Sequence, residues 1–259
     1  MLPLGGIPPC IHQIWIGRAA VPRIWTDTIK KFAETNGFEF KMWREEDLKT
    51  NLNWDEFPGL WDLYSKTERL SGKCNLARYL ILYQCGGIYI DADCVIVKPA
   101  KFVEFLEKNS GDVFMAWETL PAKHVRLYGH SKSENPDLYR RKRIIANSII
   151  GSKKEHGFWK HVLEDVGAYA ASLEGKGSWR ETGPAFIANM YSKYKDDYKD
   201  ITIYPMNRLY SSHWIGIKDP EAHKDMDSSD GAIFFQYGYS TNNFGEILKR
   251  HTRRQRRRQ

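Results

Sequence analysis

The chain has 259 residues, of which 42% are hydrophobic and 27% charged. A globular chain of this size buries about 70–75% of its unfolded surface, so collagen-like, wholly disordered and disulfide-scaffold architectures are excluded. Its net charge of +7 sits at one end. Lys249, Arg250, Arg253, Arg254, Arg256, Arg257 and Arg258 have no acid among them, while residues 1–248 hold 32 basic and 32 acidic side chains.

That distribution divides the chain into a neutral body, 1–248, expected to fold as one domain, and a basic tail, 249–259, expected to be disordered. A nucleic-acid-binding surface spread over the fold is not implied. Cys10, Cys74, Cys85 and Cys94 form no C-x-x-C pair, which points to reduced, mostly buried thiols rather than a zinc site. The first residues lack the charged and apolar regions of a signal peptide, and no apolar run approaches the length of a membrane span. A cytoplasmic or nuclear protein with no transmembrane segment is the expectation.

Ile11-His12-Gln13-Ile14-Trp15-Ile16 reads as a first strand. Pro22 opens a helix from 23 to about 35, stopped by Asn36-Gly37. Residues 38–43 alternate with period two and read as a second strand, and two short amphipathic helices follow before 66. A strong helix spans 70–85 and stops at Gly86-Gly87. Ile88-Tyr89-Ile90 is a strand ended by Asp91-Ala92-Asp93, and 95–97 is extended before Pro99. Further strands are expected at 112–117, 144–150, 201–204 and 232–235, with helices at 157–171 and 183–194. This alternation predicts an α/β fold with a mainly parallel sheet flanked by helices. Residues 121–143 break the pattern; they are polar, contain His124 and His130, and read equally as a binding loop or as a solvated helix with a basic end.

The chemistry centres on Asp91-Ala92-Asp93. Carboxylates at i and i+2 of a strand share a face, and open α/β sheets bind ligands at the carboxyl ends of their strands. Two hard oxygen donors suit Mg²⁺ or Mn²⁺ together with substrate phosphates. The preceding helix carries Asn75 and Arg78 on one face, and the Gly-Gly stop brings that helix back beside the strand. Arg78 could there meet a phosphate or sugar hydroxyl, or pair with Asp91 or Asp93 and hold the turn.

The string from Asn75 through Arg78, Gly86-Gly87 and Ile88-Tyr89-Ile90 to Asp91-Ala92-Asp93 resembles the DXD sugar-binding signature of family 32 glycosyltransferases. That family includes initiating mannosyltransferases of yeast type, and the clostridial glucosylating toxins share a related core. Ile11 to Gly17 is similar to the family's first strand, Phe40 to Asp47 to its second strand and following helix, and Asn147-Ser148 and Thr182-Gly183-Pro184 fall where it has comparable segments. The resemblance implies a GT-A-like single catalytic domain and transfer of a sugar, with retention, from a UDP- or GDP-sugar to a glycan or protein acceptor. It also implies Mn²⁺ or Mg²⁺ at Asp93 and Asp91, and Asp91, Asp93 and Arg78 as catalytic residues. Donor contacts are implied at Ile14, Trp15, Asn75, Arg78, Asp91, Ala92 and Asn147, with Trp15 stacking on the base.

Two departures stand out. Asn75 occupies a position where the family usually has Asp, and an amide both donates and accepts. The family's closing Ser-Trp pair has as counterpart either Phe234 to Ser240, which lacks tryptophan, or His213-Trp214. Glu118 and Asp112 are candidate bases only as acids near strand ends. Two other readings use the same residues: a metal-dependent nucleotide-sugar hydrolase or phosphotransferase, and a nucleic-acid-binding protein acting through the tail. The tail also suits polyanions or an anionic membrane.

Overall fold

A computed structural model describes residues 4–119, 143–173, 175–210, 218–225 and 231–239. The segment 121–142, His213-Trp214 and the basic tail lie outside the described residues. The main sheet contains β1 (Cys10–Ile14), β2 (Glu39–Trp43), β3 (Gly87–Ile90), β5 (Val113–Thr119), β6 (Arg143–Ser152) and β7 (Ile201–Tyr204), in the order β2-β1-β3-β6-β5-β7. β1 pairs in parallel with β2 and β3, and β5 with β7, whereas β6 is antiparallel to both β3 and β5. The sheet is therefore mainly parallel, with one reversed strand. β4 (Cys94–Ile96) and β8 (Phe234–Gln236) form a separate antiparallel pair.

The helices are α1 (Arg23–Asn36), α2 (Glu45–Asn51), α3 (Leu60–Lys66), α4 (Leu70–Gln84), α5 (Pro99–Lys108), α6 (Gly157–Ser172), α7 (Ser178–Glu181), α8 (Pro184–Tyr194) and α9 (Met206–Leu209). Period-two alternation along the strands sorts the core into two layers. Ile11, Ile88, Ile90 and Phe114 pack with Ile29 and Phe32 of α1 and Phe102 and Leu106 of α5. Ile14, Tyr89, Ile145 and Ile150 pack with Leu76, Leu80, Trp159 and Phe186 of α4, α6 and α8. Every residue of α4 from Asn75 to Leu82 is buried, which fits a helix apolar on nearly all sides and enclosed by its neighbours.

α5 was not foreseen. Pro99, read as the end of an extended segment, instead starts this helix at a position where its missing N–H is no loss. Gly86 and Gly87 do more than stop α4. Both have positive φ, 66° and 87°. A Cβ on Gly87 would sit 2.6 Å from the Cys10 carbonyl oxygen, and one on Gly86 2.6 Å from the Lys154 nitrogen. Only glycines let α4 fold back and insert β3 between β1 and β6. The four cysteines are free thiols; Cys94 is buried and the other three half-buried, more exposed than expected.

Candidate functional site

The strand β3 ends at Ile90, so Asp91-Ala92-Asp93 is not extended as the i, i+2 argument assumed. It is a turn: the Cys94 N–H donates to the Asp91 carbonyl at 3.0 Å, and the Asp91 N–H to the Ser148 carbonyl at 2.8 Å. The turn brings both carboxylates to the carboxyl end of β3 but hands them to different partners.

Asp91 continues the face of Tyr89, toward α4. Arg78 Nη2 donates to Asp91 Oδ1 at 2.7 Å and to the Tyr89 hydroxyl at 3.3 Å, and that hydroxyl donates to the same Oδ1 at 2.8 Å. Arg78 thus pairs with Asp91, one of the two roles its position allowed. Burial works most strongly against the Arg78 charge, but Asp91 together with Tyr89 and Tyr79 outweighs it and keeps the guanidinium protonated. Burial pushes the Asp91 carboxyl upward, against the pull of Arg78 and Tyr89. Arg78 Nε and Nη1 are buried without a hydrogen-bond partner among the described residues, an unmet donor capacity that native interiors seldom retain.

Asp93 turns toward the C-terminal segment. Its Oδ2 accepts the Tyr239 N–H at 2.7 Å and its carbonyl accepts the Tyr237 N–H at 3.0 Å. β8 is locked to β4 alongside, with Cys94 opposite Gln236. Ser148 Oγ bonds the Tyr210 hydroxyl at 2.9 Å and Gln236 Oε1 at 3.2 Å. Of the two candidate closing segments, 234–239 therefore lies against the DXD turn. Burial, with Asp91 adding to it, pushes the Asp93 carboxyl up to about 7.

Trp15 is 9% exposed, donates its indole N–H to the Ala19 carbonyl at 2.8 Å, and meets the Tyr239 ring edge-on at 5.0 Å between centroids. It thus lies beside the segment that holds Asp93. Ile14 points into the core on the α4 side, and Ala92 is buried within the turn. Asn75 and Asn147 are brought together: Asn147 Nδ2 donates to Asn75 Oδ1 at 3.1 Å, and Asn75 Nδ2 to Thr182 Oγ1 at 3.2 Å. Both ends of the Asn75 amide are therefore engaged within the protein, tying α4 to β6 and to the turn after α7.

Strand register separates the two acidic candidates. Asp112 precedes β5 at the opposite end of the sheet from Asp91 and pairs with Lys153 at 3.1 Å, whereas Glu118 lies toward the same end as the carboxylates. Sequence reasoning missed the contacts of Tyr89 and Gln13, and, although it pointed to Gln236, Tyr237 or Tyr239 as closing residues, it did not foresee that Tyr239 acts through its backbone. Tyr89 was legible, since it stands two residues before Asp91 on one strand face. Gln13, a polar residue inside an apolar strand, was a weaker signal. A backbone contact from residue 239 leaves no side-chain signature.

Comparison with known proteins agrees with this geometry. Residues 24–112 match the glycosyltransferase sugar-binding region containing DXD motif. Inositol phosphoceramide mannosyltransferase 3 of Schizosaccharomyces pombe is 30% identical over 237 residues, which is 88% of this chain and 58% of that protein. A glycosyltransferase of Acanthamoeba polyphaga mimivirus is 35% identical over 169 residues, 62% of this chain and 55% of the relative. The chain spans little more than half the length of these relatives. The solved PaToxG glycosyltransferase superposes with a TM-score of 0.51 over 75% of this chain and 72% of that one, at 16% identity, a likeness of fold that identifies the sheet and its flanking helices as GT-A. Through residues 24–112 the chain is similar to the glycosyltransferase family defined by this DXD-containing sugar-binding region.

Proposed function

We propose that the chain transfers a sugar from a UDP- or GDP-linked donor to a glycan or protein acceptor, with retention of configuration, using Mn²⁺ or Mg²⁺ held by Asp91 and Asp93. The observation that carries this reading is the state of Asp93. Its carboxylate is held at the turn by a backbone N–H, its pKa is raised to about 7, and among the described residues it forms no ion pair. Asp91, beside it, spends only Oδ1 on Arg78 and Tyr89. Two hard carboxylates with unspent oxygens fit a divalent cation that completes its shell with diphosphate oxygens. When bound, such a cation offsets the charge that gathers on a departing diphosphate.

The chain's own groups have separate tasks in this reading. Arg78 orients Asp91 and turns its unpartnered N–H groups toward donor oxygens. Trp15 offers an aromatic surface to the base. The bond from the anomeric carbon to the diphosphate oxygen breaks, the acceptor oxygen bonds to that carbon on the same face, and the departing phosphate takes the acceptor proton. No side-chain base is needed. Asn75 supports the donor pocket through Asn147 and Thr182, and Ile14 and Ala92 contribute backbone. The basic tail contacts a polyanion or anionic membrane independently of the site, so deletion of 249–259 should remove that binding and leave donor turnover intact.

The test is nucleotide release from a panel of UDP- and GDP-sugars, with Mn²⁺ and with chelator. Mannosyl donors come first, since the Schizosaccharomyces pombe relative is named a mannosyltransferase. Metal-dependent release from one donor, lost in Asp93→Asn, supports the reading. Release that no acceptor converts to a glycosylated product would favour a nucleotide-sugar hydrolase, and no release or nucleotide binding at all would refute the site.

A further inference from the structure

Gln13 is fully buried on β1, with Ile11 and Ile14 among its neighbours in the strand. Its Nε2 donates to the Asp91 carbonyl at 3.3 Å, while its Oε1 is buried with no hydrogen-bond partner among the described residues. The amide orientation is fixed by chemistry, because the reverse placement would set Oε1 against a carbonyl oxygen. A buried amide that meets only half its hydrogen bonds is less favourable than an apolar side chain of the same size. Core packing alone therefore gives no reason for glutamine here.

What the amide does is close a three-sided grip on the Asp91 peptide. Ser148 holds the Asp91 N–H from β6, the Cys94 N–H closes the turn on the Asp91 carbonyl, and Gln13 reaches that same carbonyl from β1. Trp15 follows two residues later, just past the end of β1, with its N–H on the Trp43 carbonyl at 3.0 Å. Its indole meets the Tyr239 ring, and the Tyr239 N–H holds Asp93. The end of β1 and the residue just after it thus carry a contact to the carboxylate turn and the aromatic surface beside it.

We propose that Gln13 is a positioning residue: it sets the Asp91–Asp93 turn for the cation and couples that turn to the nucleotide held against Trp15. The proposal rests on the donor and metal reading given above. Groups that orient metal ligands from outside the coordination shell typically contribute about 10–100-fold in metal affinity.

The experiment compares the wild type with Gln13→Met, matched in size but without a donor, and Gln13→Glu, which presents only acceptors when ionised. Mn²⁺ binding is read from the free-ion electron paramagnetic resonance signal, alone and with UDP or GDP. Backbone hydrogen exchange over 88–95 is read in the metal-free protein. Gln13→Met should keep or raise the melting temperature, speed exchange at Cys94, weaken Mn²⁺ binding about tenfold, and shrink the gain in Mn²⁺ affinity that nucleotide brings. Gln13→Glu should not rescue these effects. Unchanged Mn²⁺ affinity and exchange in Gln13→Met would overturn the role of Gln13, as would an affinity loss matched by a fall in melting temperature. Absence of Mn²⁺ binding in the wild type would instead overturn the site reading, and the metal part of this proposal with it.

Discussion

Asp93 brings a negative charge into a partly closed turn where a backbone N–H is its direct partner and Asp91 is a second negative charge nearby. Its pKa rises from 3.8 to about 7. An acid whose folded pKa exceeds its unfolded value binds more protons when folded, so stability falls as pH rises from about 4 to about 7. The full shift corresponds to about 4 kcal/mol at pH 8, and solvent reaching the partly exposed carboxylate reduces this to about 1–2 kcal/mol. Asp93→Asn removes the charge and keeps an oxygen for the Tyr239 N–H. The variant should therefore be more stable than the wild type at pH 8, by about that amount, and no more stable at pH 4. Urea denaturation in chelator at the two pH values measures it. Mn²⁺ should raise the wild-type midpoint at pH 8 and leave the variant's unchanged. A variant less stable at pH 8, or a gain independent of pH, would refute the claim that Asp93 is an uncompensated charge.

Three further outcomes follow from the same structure. His12 bonds Trp43 Nε1 through Nδ1 and the Gly86 carbonyl through Nε2, and burial lowers its pKa to about 4; because its folded pKa lies below the unfolded value, stability should fall as pH drops from about 6.5 to 4, by up to about 3 kcal/mol, most visibly in the Asp93→Asn background where the opposing slope is gone. An imidazole NMR titration with a midpoint near 6.5 would contradict this. Arg78→Met leaves Asp91 buried without its cation and should lower stability by about 3–5 kcal/mol in chemical denaturation, with turnover lost; a variant of wild-type stability would mean that the Arg78–Asp91 pair is unimportant to the fold. Gly87→Ala forces a Cβ to 2.6 Å from the Cys10 carbonyl at a φ of 87°, and calorimetry should show a loss of about 2–4 kcal/mol.

The part of the site that was legible in the sequence is the part that is contiguous in it. From Asn75 to Asp93 the chain is one helix, one two-glycine reversal and one short strand, so residue spacing fixes distance. Thirteen residues separate Arg78 from Asp91, and the reversal brings them to 2.7 Å. The same logic failed over a single step, because Asp91 and Asp93 lie just past the strand and the period-two rule ends where the strand's hydrogen bonds end. Local periodicity also missed α5, since Pro99 serves as well to begin a helix as to end an extended segment.

What spacing could not reach is the contact from residue 239 to residue 93, 146 positions apart and made through a backbone N–H that any residue but proline could supply. A motif reader looking for a tryptophan near the diphosphate finds none in 234–239, yet those residues run against the DXD turn through β8. Asn75 marks the intermediate case. Its position matched the family, but its partners, Thr182 and Asn147, come from two other elements. The amide accepts from Asn147 and donates to Thr182, whose hydroxyl is itself turned to the Ser178 carbonyl and so offers a lone pair. Aspartate would still accept from Asn147, but it would need the Thr182 hydroxyl to turn away from the Ser178 carbonyl, to which it donates at 3.2 Å.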